Sequence, residues 1–251
     1  MGKINVTAVS YLNTKPFLYG IEQSPVITQI NLTKEIPSFV ADSMISGIAT
    51  IGLVPVAVVP EISGAQIISD YGICSNGEVG SVCIYAQCPI EEVETIYLDY
   101  QSRTSVELAK ILLRDFWKVN PVLKKTVPGY ESGITGSTAG LIIGDRSLQL
   151  KKKFRYCYDL GQAWKELTGL PFVFACWVTN RPLDELFVIT FKEALKKGIE
   201  SVEIVARQNE SFYPDVDTLD YLNNKIQYHL TAEMRKGMET FLEEIRIAEK
   251  I

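Results

Sequence analysis

The chain has 251 residues, 47% hydrophobic and 22% charged, an ordinary globular composition long enough to bury one large core or two smaller ones. Its formal net charge is −5, with 25 basic and 30 acidic residues interspersed, so the concentrated basic patch that a nucleic-acid partner requires is missing. The first strand-like run begins by Ile4 and no apolar run approaches a membrane span, which predicts a cytoplasmic protein with no membrane partner.

In chain order, strand-like and helix-like segments alternate, the pattern of βαβ units and a mostly parallel sheet. Strands are expected at Ile4 to Val9, Val26 to Ile30, Ile48 to Val54, Gln66 to Ser69 and Val79 to Ala86. Helices are expected over Pro16 to Gly20 and Pro37 to Ser46, the second opened by Pro37 and stopped by Gly47. Pro89 and three acids interrupt the apolar pattern between Gln87 and Glu94, where a change of unit is placed. Beyond it come strands at Thr95 to Leu98, residues 122 to 127, Ala139 to Ile143, Tyr156 to Leu160 and Leu170 to Val178. Helices fall at Ser105 to Lys118 and Gly161 to Leu167, and from Arg181 onward three longer ones are expected: Leu183 to Arg207, Val216 to Leu230 and Ala232 to Lys250.

This order puts an inserted unit, residues 87–177, inside a discontinuous one formed by 1–86 and 178–251. Strands 79–86 and 170–178 would be the two crossovers, and the C-terminal helical tail would return to cover the first unit. A two-lobed α/β binding-protein fold is wired in this way.

Two strand-to-helix junctions carry the polar groups best placed for a ligand, because in parallel α/β sheets ligands bind at the carboxyl ends of strands. In the first, Ser10, Tyr11 and Asn13 follow the opening strand; these residues are either a ligand site or a loop whose Ser and Asn cap the next helix. In the second, Ser102, Arg103, Thr104 and Ser105 open the helix after strand 95–98. Hydroxyls, amides and an Arg at a helix N-terminus suit an anion such as a carboxylate. Thr104 and Glu107 also have capping-box spacing, so a plain helix cap is the competing reading. Gly144 and Asp145 follow another buried strand, where an Asp more often caps the next helix than acts as an acid.

The five cysteines form no CxxC pair and most lie in apolar strand-like surroundings, which suits reduced core thiols. The single histidine, His229, excludes a multi-histidine metal site and weakens any mechanism needing a His base. No GxGxxG, phosphate loop or GxSxG elbow is present, so no cofactor and no metal is expected. Trp164, Phe172, Phe174 and Trp177 read as core, and Lys151 to Lys153 with Arg155 as a solvated helix end.

Several stretches together resemble one family, the chorismate dehydratases of the futalosine route to menaquinone. They are Ser10-Tyr11-Leu12-Asn13-Thr14-Lys15-Pro16, Gly52-Leu53-Val54-Pro55, Leu98-Asp99 with Ser102-Arg103-Thr104-Ser105, and Ile143-Gly144-Asp145-Arg146. Tyr158-Asp159-Leu160-Gly161, Trp164, and Thr168-Gly169-Leu170-Pro171-Phe172-Val173-Phe174-Ala175 complete the set. The resemblance implies an α/β, two-lobed periplasmic-binding-protein-like (type II) fold holding chorismate between its lobes. It implies elimination of water to give 3-[(1-carboxyvinyl)oxy]benzoate, with the substrate's own enolpyruvyl carboxylate as base. It also implies that Asn13 orients the substrate and stabilises developing charge, and that Ser81 contacts the reacting centre. Substrate binding would fall to Ser10, Tyr11, Ser102, Arg103, Thr104, Ser105, Gly144 and Asp145. The strand Val79-Gly80-Ser81-Val82-Cys83-Ile84 departs from the family pattern in lacking an Arg before Ser81, which leaves the source of one carboxylate contact open. Two other readings share the fold: a solute-binding protein that captures a small carboxylate unchanged, and 1,4-dihydroxy-6-naphthoate synthase of the same pathway. The latter would be expected to carry a His in the inserted unit, where this chain has none.

Overall fold

The computed structural model describes residues 2–248. In chain order its strands are β1 (Ile4–Val9), β2 (Ile30–Glu35), β3 (Ile51–Pro55), β4 (Gln66–Ser75), β5 (Val82–Ala86) and β6 (Thr95–Leu98). They continue as β7 (Val122–Lys125), β8 (Thr138–Ile143), β9 (Tyr156–Asp159), β10 (Phe172–Thr179) and β11 (Gln227–His229). The helices are α1 (Lys15–Glu22), α2 (Pro37–Ile45), α3 (Thr104–Asp115), α4 (Gly144–Leu150) and α5 (Leu160–Thr168). After these come α6 (Glu185–Glu200), α7 (Val202–Asn209), the single turn α8 (Thr218–Asp220) and α9 (Ala232–Ala248). No helix among the described residues is long and apolar enough to cross a membrane.

The chain divides into two compact units. The first comprises the residues up to Cys74 together with Val173–Thr231; the second comprises Ser75–Phe172 and the chain from Ala232 onward. The first unit is built on a six-stranded sheet of order β11-β4-β10-β3-β1-β2, with β1 parallel to both β2 and β3 and β10 antiparallel to β3. Helix α1 crosses α6 so closely that Gly20 and Gly198 meet. A Cβ on Gly20 would lie 2.0 Å from the Ala194 carbonyl oxygen, and one on Gly198 would lie 1.9 Å from that of Pro16. Behind this crossing Trp177 packs edge-on against Phe17 and Phe191, with ring centroids 5.9 and 5.1 Å away. The second unit has a five-stranded sheet, β7-β6-β8-β5-β9, in which β6 runs parallel to β7 and β8 while β5 runs antiparallel to β8 and β9. Trp164, Phe172 and Phe241 form its aromatic core, all but fully buried, so the aromatic run is core as its composition indicated.

Several expectations are corrected. Both sheets are mixed, not mostly parallel, because the return strand β10 runs against β3 and β5 runs against β8 and β9. The outgoing connection is the end of β4 and not residues 79–86: β5 pairs only with β8 and β9, both in the second sheet. The unit boundary expected at Ala86 therefore falls after Cys74. The chain also passes between units a third time, after Thr231, because α9 belongs with the second unit and not with the first. There Phe241 packs edge-on against Phe172 with ring centroids 4.9 Å apart, and Arg114 pairs with Glu244 at 2.8 Å.

Residues 26–29 form a 3-10 turn, not a strand. Ser24 caps it by accepting from the Val26 amide, Pro25 opens it, and β2 starts at Ile30 opposite Ile4. The helix expected from Leu183 to Arg207 is two, split at Ser201, whose hydroxyl donates back to the Lys197 carbonyl. The helix expected from Val216 to Leu230 is α8, a π-type turn and β11. Ile226, Tyr228 and Leu230 are buried while Gln227 and His229 are not, the alternation of a strand lying beside β4. The expected last helix is α9; its final two residues, 249 and 250, lie outside the described ones.

All five cysteines are free, with Cys74, Cys83 and Cys176 buried. Cys157 is exposed, and its thiol is lowered from the ordinary value by a hydrogen bond from the Cys83 thiol, with help from the Lys151 charge. A lowered pKa raises the thiolate fraction at any pH below it, and the thiolate is the nucleophile. Alkylation of the folded protein with iodoacetamide at neutral pH should therefore modify Cys157 first, as read by peptide mass spectrometry. Gly198→Ala should lower stability by about 1–3 kcal/mol or more, the usual cost of overpacking where the obstacle is backbone, measured as a loss in urea midpoint.

Candidate active site

In the first unit, β1 ends at Val9, and the Ser10 amide donates to the Glu35 carbonyl at 3.0 Å, continuing the β1–β2 ladder one residue further. The chain then tightens into a 3-10 turn, Leu12–Thr14, which the Thr14 amide closes onto the Tyr11 carbonyl. Pro16 in the first turn of α1 stops the turn from extending as strand. Asn13 and Thr14 are buried, Tyr11 is partly buried and Ser10 is exposed. Asn13 is held at two points. Its carbonyl accepts from the Tyr228 hydroxyl at 3.1 Å, and its side-chain oxygen accepts from the Thr14 hydroxyl at 3.2 Å. The side-chain nitrogen of Asn13 has no hydrogen bond to any described residue, so its two N–H donors remain for a ligand. Lys15 is tied down beside this turn by the Asn209 side chain and lies over the rings of Phe212 and Tyr213.

In the second unit, the loop from Asp99 to Arg103 leads out of β6 into α3. The Ser102 side chain accepts from the Ser105 amide at 3.0 Å and is the working cap. The capping box expected between Thr104 and Glu107 does not form: Glu107 pairs instead with Lys110 at 2.7 Å on the outer face of the helix. Ser102, Thr104 and Ser105 are buried and Arg103 partly so. The Ser105 hydroxyl makes no hydrogen bond to any described residue.

A few residues on, β8 runs into α4 through Gly144. Its φ of +65° is left-handed backbone that glycine takes without strain, and its amide donates to the Ser81 carbonyl at 2.8 Å. The cap position of α4 is Ile143, and Asp145 sits inside the first turn, so it is not the helix cap that its position suggested. Ser81 is fully buried. The residues before it are fixed by Asp159, whose carboxylate accepts from the Gly80 amide at 2.7 Å and the Val79 amide at 3.2 Å. The same carboxylate caps α5 through the Gln162 amide at 3.0 Å.

The structure thus brings Ser102 to Ser105, Gly144 and Ser81 together within one unit, and Ser10, Tyr11 and Asn13 together within the other. What joins the first group is a residue pair to which the spacing assigned no role, Asp99 and Arg146. Asp99 is 2% exposed, and its carboxylate accepts from the Gln101 and Ile143 amides, each at 2.9 Å. One terminal nitrogen of Arg146 reaches both carboxylate oxygens at 2.7 and 2.6 Å. Burial pushes the Asp99 carboxyl up from its ordinary value while the Arg146 charge and the two amides pull it back. Burial, with the Glu78 charge adding to it, also lifts Asp159, against its three amide donors. Among the described residues no three His, Cys, Asp or Glu side chains are grouped as metal ligands would be. His229 is exposed at the sheet edge against Tyr71, ring centroids 5.2 Å apart.

Residues 4–246 match a protein family described as menaquinone biosynthesis. Two curated relatives are named chorismate dehydratase. The protein from Thermus thermophilus is 28% identical over 199 residues, 70% of this chain and 72% of the relative. That from Campylobacter jejuni is 29% identical over 182 residues, 69% of this chain and 66% of the relative. Among solved structures, protein AF1704 from Archaeoglobus fulgidus superposes with a TM-score of 0.76 at 16% identity, covering 99% of this chain and 98% of that one. The Escherichia coli aliphatic sulphonate binding protein SsuA gives 0.61 at 12% identity, covering 100% of this chain and 89% of that one. A Candida albicans protein described as having the generic periplasmic binding protein fold gives 0.63 at 11%, covering 100% and 91%. At such identities these structural likenesses show the fold alone: the two α/β units are those of a periplasmic-binding-protein fold. With the match spanning nearly the whole sequence, the chain belongs to the menaquinone biosynthesis family.

Proposed function

We propose that this chain is a chorismate dehydratase, a hydro-lyase that removes the ring hydroxyl of chorismate as water and gives 3-[(1-carboxyvinyl)oxy]benzoate. The proton is lost from the ring carbon bearing the enolpyruvyl ether, the hydroxyl leaves the neighbouring carbon, and the ring becomes aromatic. The substrate's own enolpyruvyl carboxylate is the base. The observation that carries this reading is the Ser102 to Ser105 turn at the start of the twelve-residue helix α3, where hydroxyls and an Arg gather at a helix N-terminus. Chorismate carries two carboxylates, and such a terminus favours negative charge. The names of the two curated relatives support the same choice of substrate.

The assigned groups suit a reaction whose base comes with the substrate. Asn13 and Ser81 are not ionised at neutral pH; they place the substrate and donate to developing charge. The unpartnered amide nitrogen of Asn13 supports that role. Ser10, Tyr11, Gly144 and Asp145 are proposed as further substrate contacts.

Incubating the purified protein with chorismate should give an aromatic product one water lighter, followed by ultraviolet absorbance and mass spectrometry. Chorismate that is bound yet unchanged after hours would favour a carboxylate-binding protein instead. Asn13→Ala should reduce kcat by roughly 10²- to 10³-fold, the usual worth of one donor to developing charge, with KM changed far less. Arg103→Ala with Ser105→Ala should weaken chorismate binding by roughly two to four orders of magnitude, given about 1.5–3 kcal/mol for each of the two charge-assisted hydrogen bonds. Unaltered affinity in that double variant would show the loop to be a helix cap only.

A further inference from the structure

The second unit contains an ion pair whose side chains are bonded to the backbone just before the assigned substrate groups. Asp99 accepts from the Gln101 amide, one residue before Ser102, and its own carbonyl accepts from the Ser102 amide at 3.2 Å. Through its other carboxylate oxygen it accepts from the Ile143 amide, one residue before Gly144. Gly144 in turn donates to the Ser81 carbonyl. One buried carboxylate therefore sets the backbone of the 102–105 loop and of the Gly144 turn, and through Gly144 it reaches Ser81.

Arg146 fixes that carboxylate. Its guanidinium donates to both Asp99 oxygens from one nitrogen and to Glu131 from the other, and it lies over the rings of Tyr100 and Tyr130, with centroids 5.1 and 5.8 Å away. Tyr130 is itself anchored, its hydroxyl donating to the Leu141 carbonyl at 2.5 Å. A planar fork held on two edges and lying against two rings that meet edge-to-face has little rotational freedom, and lysine does not reproduce the fork.

We propose that Asp99 and Arg146 are positioning residues: acting through the backbone of Gln101, Ser102, Ile143 and Gly144, the pair holds the carboxylate-binding loop at Ser102 to Ser105 and the Ser81 carbonyl in one fixed arrangement. Its effect on substrate rests on the chorismate reading above; its effect on the loops does not.

The test is Arg146→Lys, which keeps a positive charge beside Asp99. Hydrogen exchange followed by mass spectrometry should show segments 99–105 and 141–146 both exchanging at least about tenfold faster. Chorismate KM should rise about tenfold or more while kcat stays within about threefold, because a small misplacement of binding groups is costly. Glu107→Gln, on the outer face of α3, should alter neither exchange nor KM. If Arg146→Lys does not fold, Asp99→Asn should loosen the same two segments together. The proposal is overturned if either segment keeps its wild-type exchange rate, or if both loosen while KM stays unchanged. Absence of turnover in the wild-type protein would instead sink the chorismate reading, and exchange would still decide whether the pair positions the loops.

Discussion

The polar edge of the second unit depends on one constraint: backbone amides freed where strands end and helices begin must be paired, and here carboxylates pair them. A helix start leaves its first amides without intrahelical partners, and leaving such donors buried and unpaired costs about 1–3 kcal/mol each. Asp99 answers for Gln101 and Ile143, and Asp159 for Val79, Gly80 and Gln162. These acids are structural first. They meet the need with charge, so their burial has to be offset, and for Asp99 the offset is Arg146.

The first unit ties down its turn with neutral groups instead. Ser10 continues a ladder, Tyr228 donates to the Asn13 carbonyl, and the Thr14 hydroxyl donates to the Asn13 side chain. Burial holds the Tyr228 hydroxyl well above its ordinary pKa, so it remains a donor over any ordinary pH. The packing that carries these groups is tight in one place above all, the Gly20–Gly198 crossing of α1 and α6. Helix α1 begins directly after the Leu12–Thr14 turn that holds Asn13, so the position of the turn is inherited from that crossing.

How much of this was legible in the sequence divides along a physical line. Local patterns were read correctly: β1, α2, β6 and the onset of β8 within a residue, and the aromatic core from its composition. The turns after β1 and β6 were legible too, because short polar clusters after apolar runs are local signals. What could not be read was pairing at long range. Asp99 and Arg146 lie 47 residues apart, and Asp159 lies 79 from Gly80. No periodicity reports such contacts, although each of the three acids and bases sits inside a motif quoted for the resemblance. The misplaced unit boundary has the same origin, since only strand pairing assigns β5 to the second sheet. The helix expected over Val216 to Leu230 failed for a different reason: the alternation of Ile226, Tyr228 and Leu230 is a strand signal, too short to outweigh the surrounding helical composition.

On the proposed reading, a fold shared with solute-binding proteins performs an elimination without acquiring a new acid or base. That is chemically coherent only if the substrate brings its own base, and it changes what the protein must supply. A titrating residue tolerates some misplacement, because a proton can pass through an intervening water. An internal base has no such latitude, since its reach is fixed by the substrate's own bonds and the protein can only choose the conformer. The demand then shifts from the identity of the groups at the site to the rigidity of what stands behind them. The Asp99–Arg146 pair, the Asp159 amide nest and the Tyr228 bond to Asn13 are bonded to backbone beside the assigned groups, where small displacements would matter most.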